Sequence, residues 1–433
     1  MGRESGSLEE PEISGLVQKP ENVPEGDFAN YLCTYGYLYH QKDMLEDHRR
    51  MQCYYDAIFT NKECFANKAV LDVGAGSGVL ALWAVQAGAR IAYAVEATYI
   101  AQQAKRLAKH HGVGDRVDVR QCYLEEVDLP ENVDIILSEF MGYFLLRESM
   151  FDTILHARDK YLKEGGAIFP SHCRMFIAPM HTQAADNKVK EFHDSVDGWQ
   201  SFVQTTRSTY GIDMSCLTED YEKEQRGYFL QTAAWIETSP SQLLGPPYVI
   251  KQIDLHTASL ESVQGVNSSF RFRLRGGGSE GALVNAFCGW FDVHFNGSAD
   301  CPVNTTIELS TAPEYGHCTH WGQQALFVEP PIEGRDGEEL EGRITIVKHK
   351  ENRRLLDIGM VVSHKSPEQV GEHNHQQHSS SSDKAGDSGG SEKSADGAPM
   401  HHQHHFYFPA NGEDGLNEQQ GVVDQRSFAW HVD

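Results

Sequence analysis

No stretch of the 433-residue chain is long and apolar enough to span a bilayer, and the first thirty residues lack the apolar core of a secretory signal. Paired cysteines are missing too. The nine cysteines are scattered, with no CxxC and no Cys/His spacing suited to zinc, so neither a disulfide scaffold nor a metal site is expected. Reduced thiols of this kind point to the cytoplasm and nucleus. Positive charge is scarce: 37 Lys and Arg stand against 62 acidic residues, a formal charge of −25. That balance argues against direct contact with nucleic acid or an anionic membrane and favours cationic partners. What the chain does have is 40% apolar residues over a length suited to two or three domains.

Composition shifts divide it. Residues 1–26 are rich in Glu, Gly and Pro without periodicity and read as a flexible N-terminal arm. From about 28 to 61, aromatics and Met recur at three-to-four spacing, a helical pattern. Across 69–170, strands are expected at 69–73, 91–95, 117–120, 133–137 and 167–169, with helices at 79–86, 99–110 and 147–161. This alternation signals βαβ units around a parallel sheet, so 27–170 forms one unit. Beyond Pro170 the pattern changes. Residues 185–225 are helical and amphipathic, and 246–363 hold short alternating runs separated by Gly, Asn and Pro, as in an antiparallel barrel or sandwich. The second unit is therefore 171–363. Residues 364–405 follow as a His- and Ser-rich insert expected to be disordered, where weak solvated metal binding suits the histidines better than a built site. In 406–433 a last strand at Phe406-Tyr407-Phe408 precedes a C-terminal tail.

Leu71-Asp72-Val73-Gly74-Ala75-Gly76-Ser77-Gly78 closes the first strand and opens a helix. Its glycines let the chain turn tightly and bring backbone against a ligand. A dinucleotide fingerprint needs Gly where Val79 stands. With Asp72 ahead of it, the loop is instead similar to the first motif of S-adenosylmethionine-dependent methyltransferases. Glu96, at the end of the second strand, is placed to accept both hydroxyls of a ribose.

Glu139 and Glu148 lie nine residues apart around Gly142, just after the strand at 133–137. Gly142 allows the chain to fold back, so both carboxylates can face one pocket. Taken alone, such a pair is more readily a helix cap and a solvated acid. Beside a sulfonium cofactor it has a use, because a guanidinium acceptor brings a second positive charge. Two carboxylates offset that repulsion and orient one terminal nitrogen toward the methyl group. They also concentrate electron density on that nitrogen, so no base strong enough to deprotonate a guanidinium is required.

These motifs, with Tyr35, Met44-Leu45-Glu46-Asp47, Arg50, Glu125 and Thr319-His320-Trp321, resemble the type I protein arginine N-methyltransferases over roughly residues 28–363, and among them the plant-type clade numbered ten. The resemblance implies a Rossmann-like methyltransferase domain followed by an antiparallel β-barrel domain with a helical dimerisation arm at about 185–235. It implies S-adenosyl-L-methionine as cofactor, bound by Tyr35, Arg50, Asp72, Gly74, Gly76, Gly78, Glu96 and Glu125. Arg50 would pair with the methionine carboxylate, Glu96 with the ribose and Glu125 with the adenine amino group. Glu139 and Glu148 would clamp the substrate guanidinium, and Asp47 and His320 would pair across the domain boundary and carry away a proton. Met44, Tyr143, Met150 and Trp321 would border the arginine pocket. The implied partners are basic tails, of histones or Arg/Gly-rich proteins, and a second copy in a head-to-tail homodimer. Two departures stand out: Phe140 replaces the Trp usual after the first glutamate, and 366–403 has no counterpart. A methyltransferase for another acceptor and a catalytically weak dimeric scaffold are the rival readings.

Overall fold

The computed structural model describes residues 31–276, 281–314, 318–365 and 424–432. The chain opens with helices α1 (Cys33–Tyr35), α2 (Leu38–Glu46), α3 (His48–Phe59) and α4 (Lys62–Phe65). Strands β1 (Ala69–Val73), β2 (Ile91–Glu96), β3 (Val117–Gln121), β4 (Val133–Ser138) and β5 (Leu162–Phe169) form one sheet in the order β3-β2-β1-β4-β5. All four ladders are parallel. Helices α5 (Val79–Gln86), α6 (Ile100–His110) and α7 (Met150–Tyr161) connect the strands.

β1 is buried along its whole length, which is why it reads as an almost unbroken apolar run. β5 begins five residues before the expected strand, because Leu162 is cut off from the apolar run at 167–169 by Lys163-Glu164-Gly165-Gly166, which is polar and Gly-rich. α7 begins three residues after the expected helix, since Glu148 (φ 80°) and Ser149 (φ 59°) are left-handed and cannot belong to it.

The second unit is antiparallel. β6 (His172–Met180) leads into the helical hairpin α8 (Gln183–Tyr210) and α9 (Thr218–Leu230), and the chain returns through β7 (Ala234–Ile236). The hairpin breaks at Gly211 (φ 69°), which closes α8. Trp199 stacks on Tyr221 with ring centroids 4.4 Å apart and holds the two helices together. Of α8, only Ala185 and Phe192 are buried, while Phe202, Tyr210, Ile212 and Tyr228 of the hairpin are exposed.

β8 (Tyr248–Asp254), β9 (Gly265–Arg273), β10 (Ala282–Gly297), β11 (Pro302–Ser310), β12 (Gln323–Gly334), β13 (Glu339–Lys348), β14 (Leu356–Lys365) and β15 (Asp424–Val432) complete two antiparallel sheets. One runs β7-β12-β10-β6-β8 with β11 added to β10, the other β15-β14-β13-β9. Asn61 ties the two units. Its Oδ1 accepts from the backbone N–H of Asn304 and Thr305, and its Nδ2 donates to the Thr305 carbonyl.

The last strand corrects the sequence reading. Phe406–Phe408 lies outside the described residues, and the strand that pairs with β14 is β15, within the stretch expected to be tail. Its signal was Phe428, Trp430 and Val432 at period two, a short run easily lost after so long a low-complexity stretch.

Candidate active site

The C-terminal ends of β1, β2 and β4 open onto one cavity of about 430 Å³, covered from the other side by α1, α2 and the barrel loop at 319–321. Gly74, Gly76 and Gly78 all have positive φ. Only Gly74 and Gly76 face the cavity. A side chain at Gly76 would lie 2.7 Å from Gln41 Oε1, and one at Gly78 would press on Ala104 of α6. Asp72 also stands behind the wall: it does not line the cavity but accepts the Ala81 N–H at the start of α5. Burial pushes its carboxyl up to about 7. Both Asp72 and Gly78 thus shape the loop rather than border the space.

Glu96 is fixed by backbone donors, accepting from Gly76 N–H at 2.9 Å and Thr98 N–H at 2.8 Å. Glu125 lines the same space and accepts from Thr153 Oγ1. Arg50 reaches in from α3. Its Nη1 donates to the Met44 carbonyl and its Nη2 to Glu139 Oε2 at 3.0 Å, while its buried Nε has no partner among the described residues.

Glu139 and Glu148 line the cavity, as do Met44, Tyr143, Phe140, Met150 and Trp321. Gly142 makes the reversal between the glutamates possible. A Cβ there would sit 2.0 Å from the Arg147 carbonyl oxygen and 2.6 Å from its carbon, both backbone atoms that cannot step aside. Gly142→Ala should therefore cost about 3 kcal/mol, seen as a lowered denaturant midpoint at unchanged slope. Four non-glycine residues in this loop, Phe144, Leu145, Glu148 and Ser149, are left-handed, each costing about 1–3 kcal/mol.

Tyr31 and Tyr35 donate their hydroxyls to Glu148 Oε2 at 2.6 and 3.0 Å. Tyr35 therefore contacts the second glutamate, a placement not expected for a cofactor-binding residue. Burial raises the Glu148 carboxyl above its usual range and the Glu139 charge adds to this, while the two phenols oppose it. Phe140 is buried and meets Phe151 edge-on at 5.0 Å, so it packs the floor without needing an indole donor.

Asp47 and His320 do meet across the two units. His320 Nδ1 lies 2.7 Å from Asp47 Oδ2, which also accepts the His320 N–H, and Asp47 Oδ1 caps α3 through the Arg50 N–H. Burial works to raise the Asp47 carboxyl, but these donors outweigh it and hold it low. Trp321 is buried and donates Nε1 to the Met141 carbonyl.

Three residues escaped the sequence reading. Tyr31 stands one helical turn before Tyr35, a spacing that could have exposed it. Gln41 donates to the Tyr35 carbonyl and accepts from Ser77 N–H, joining the aromatic segment to the glycine loop. Arg354, from the turn between β13 and β14, had no local signal at all.

Residues 176–367 match the family described as the arginine methyltransferase oligomerization subdomain, and 70–166 match a methyltransferase domain. Protein arginine N-methyltransferase PRMT10 of Oryza sativa subsp. japonica is 47% identical over 334 residues, covering 77% of this chain and 87% of the relative. PRMT10 of Arabidopsis thaliana is 46% identical, covering 77% and 86%. The chain belongs to the protein arginine N-methyltransferases. The crystal structure of Arabidopsis PRMT10, described as uniquely open, is similar with a TM-score of 0.75 at 44% identity, over 78% of this chain and 95% of that one. A Trypanosoma brucei PRMT1 enzyme–prozyme complex with AdoHcy gives 0.64 at 28% identity, over 78% and 96%.

The methyl donor of this arginine methyltransferase is S-adenosylmethionine. The residues present fit it. Arg50 Nε, without a partner among the described residues, is a buried cationic donor suited to a carboxylate, and the left-handed Gly74 and Gly76 leave room at the loop where a Cβ would intrude.

Proposed function

We propose that this enzyme is of type I, forming mono- and asymmetric dimethylarginine on basic protein tails such as those of histones or Arg/Gly-rich proteins. The observation that carries this reading is the pair of carboxylates, Glu139 and Glu148, that both line the cavity bordered by the glycine loop. The clamp draws the guanidinium in, cancels part of its repulsion with the sulfonium, and presents one nitrogen in line with the methyl group. Met44 and Met150 would border the nitrogen, Glu96 would accept from the ribose hydroxyls and Glu125 from the adenine amino group, and Arg50 would donate to the methionine carboxylate. Arg50 now pairs with Glu139, so engaging the cofactor carboxylate would free that glutamate for substrate. His320, held by Asp47, takes the proton lost after transfer. The formal charge of −25 suits basic tails and supports electrostatic capture.

The oligomerization subdomain and the exposed apolar residues of the α8–α9 hairpin support a homodimer in which each hairpin docks on the partner's cofactor domain. The scattered cysteines support a cytoplasmic and nuclear location. Incubation with labelled S-adenosylmethionine and histone, followed by amino-acid analysis, tests the reaction type. Symmetric dimethylarginine as product would overturn type I.

Glu148 also sets a pH dependence. Its folded pKa lies above the usual 4.5, and only the charged form clamps a cation. Activity is thus retained above that raised value and lost as pH falls through it. The acid limb of kcat/KM should fall above pH 4.5; a limb at or below that value would contradict the assignment.

A further inference from the structure

Both polar backbone groups of Glu148 are held by one residue of the barrel, 206 positions away. The Glu148 N–H donates to the Arg354 carbonyl at 2.7 Å, and Arg354 Nη1 donates back to the Glu148 carbonyl at 2.7 Å. One residue on, Ser149 Oγ donates to the Arg353 carbonyl at 2.5 Å. These contacts fall on the two residues of the loop with φ of 80° and 59°, conformations that Glu and Ser seldom adopt without support. The same guanidinium lies 3.9 Å from the ring centroid of Tyr31, whose hydroxyl donates to Glu148 Oε2. Arg354 therefore touches Glu148 at its backbone and, through Tyr31, at its carboxylate.

The turn that carries Arg354 is itself anchored. Lys348, its side chain 6% exposed, pairs with Asp152 at 3.0 Å in the first turn of α7. Arg353 donates to Gln264, which donates to the same Asp152. The β13–β14 turn is thus fastened on both sides of Glu148, to the loop itself and to the helix that follows it.

We infer that Arg354 is a positioning residue for arginine methylation, through which the barrel sets where the Glu148 carboxylate lies. The inference rests on the reading of Glu148 as a substrate clamp. Without Arg354 the strained backbone at 148–149 is free to relax, and the carboxylate drifts from the guanidinium, while Glu96 stays fixed by the Gly76 and Thr98 N–H groups.

Arg354→Ala and Arg354→Lys in the full chain test this, beside Glu148→Gln as the reference. Arg354→Ala is expected to lower kcat for arginine methylation about 10²-fold, with the calorimetric Kd for S-adenosylmethionine unchanged. Arg354→Lys keeps a cation and a donor and should recover about tenfold of that loss, though not all, because the planar fork is gone. If Arg354→Ala proves poorly folded by circular dichroism, Ser149→Ala, which removes only the side-chain clasp, should still reduce kcat without weakening cofactor binding. An unchanged kcat in Arg354→Ala, with Glu148→Gln inactive, overturns the inference and leaves the clamp standing. A parallel loss of cofactor affinity also overturns it, since that marks general loosening. An active Glu148→Gln overturns the clamp and the inference together.

Discussion

Glu148→Gln is expected to lose arginine methylation almost completely while binding S-adenosylmethionine as tightly as the wild-type protein. Removing one charge from a buried, paired site costs about 3–5 kcal/mol, which corresponds to about 10²–10⁴ in rate at 1.4 kcal/mol per decade. Glutamine is the informative substitution because it keeps the shape, and its amide oxygen can still accept from Tyr31 and Tyr35. What it removes is the charge that faces the guanidinium. Glu139→Gln is the less readable variant, since Glu139 also pairs with Arg50 and its loss would disturb the cofactor side as well. Steady-state methylation of a histone peptide, alongside calorimetry with the cofactor, separates the two functions. Activity within tenfold of wild type would mean that the substrate cation does not meet Glu148.

The residues legible in the sequence share a property: each lies in a segment whose local chemistry already announces it. β1 is covered on both faces, so its apolar run stands out, and the glycine loop follows directly because the strand must turn into α5. Glu139 and Glu148 are separated by a Gly that only a tight reversal requires. Asp47 and His320 are 273 positions apart, and their pairing came from family resemblance rather than from either local sequence. Arg354 shows the limit. Nothing in Lys348-His349-Lys350-Glu351-Asn352-Arg353-Arg354 distinguishes it from a solvated basic turn; its role arises only from folding the barrel against the loop. Asp72 errs in the other direction. A carboxylate just before the glycine loop looks like a ligand contact, yet burial and the Ala81 N–H draw it into the start of α5.

The end of the chain carries the second large effect. Trp430→Ala should destabilise the barrel by about 3–5 kcal/mol, since Trp430 is buried and its Nε1 donates to the Phe327 carbonyl of β12. Truncation before Asp424 should cost more, because β15 supplies the whole outer ladder of β14, from Leu356 paired with Val432 to His364 paired with Asp424. It also bridges the two antiparallel sheets: Ala233 N–H donates to the His431 carbonyl, and His431 N–H donates to that of Gln231, just before β7. With β15 gone, β14 becomes an unpaired edge and the turn before it, which carries Arg354, loses its rigid base. Cofactor affinity should survive, because the glycine loop and Glu96 belong to the parallel sheet. Methylation should not, because Glu148 is held from the barrel side. Thermal unfolding and cofactor calorimetry on Trp430→Ala and the truncated chain read both quantities. A truncated chain that kept the wild-type melting profile and rate would show that β15 is dispensable both for the barrel and for the support of the turn that carries Arg354.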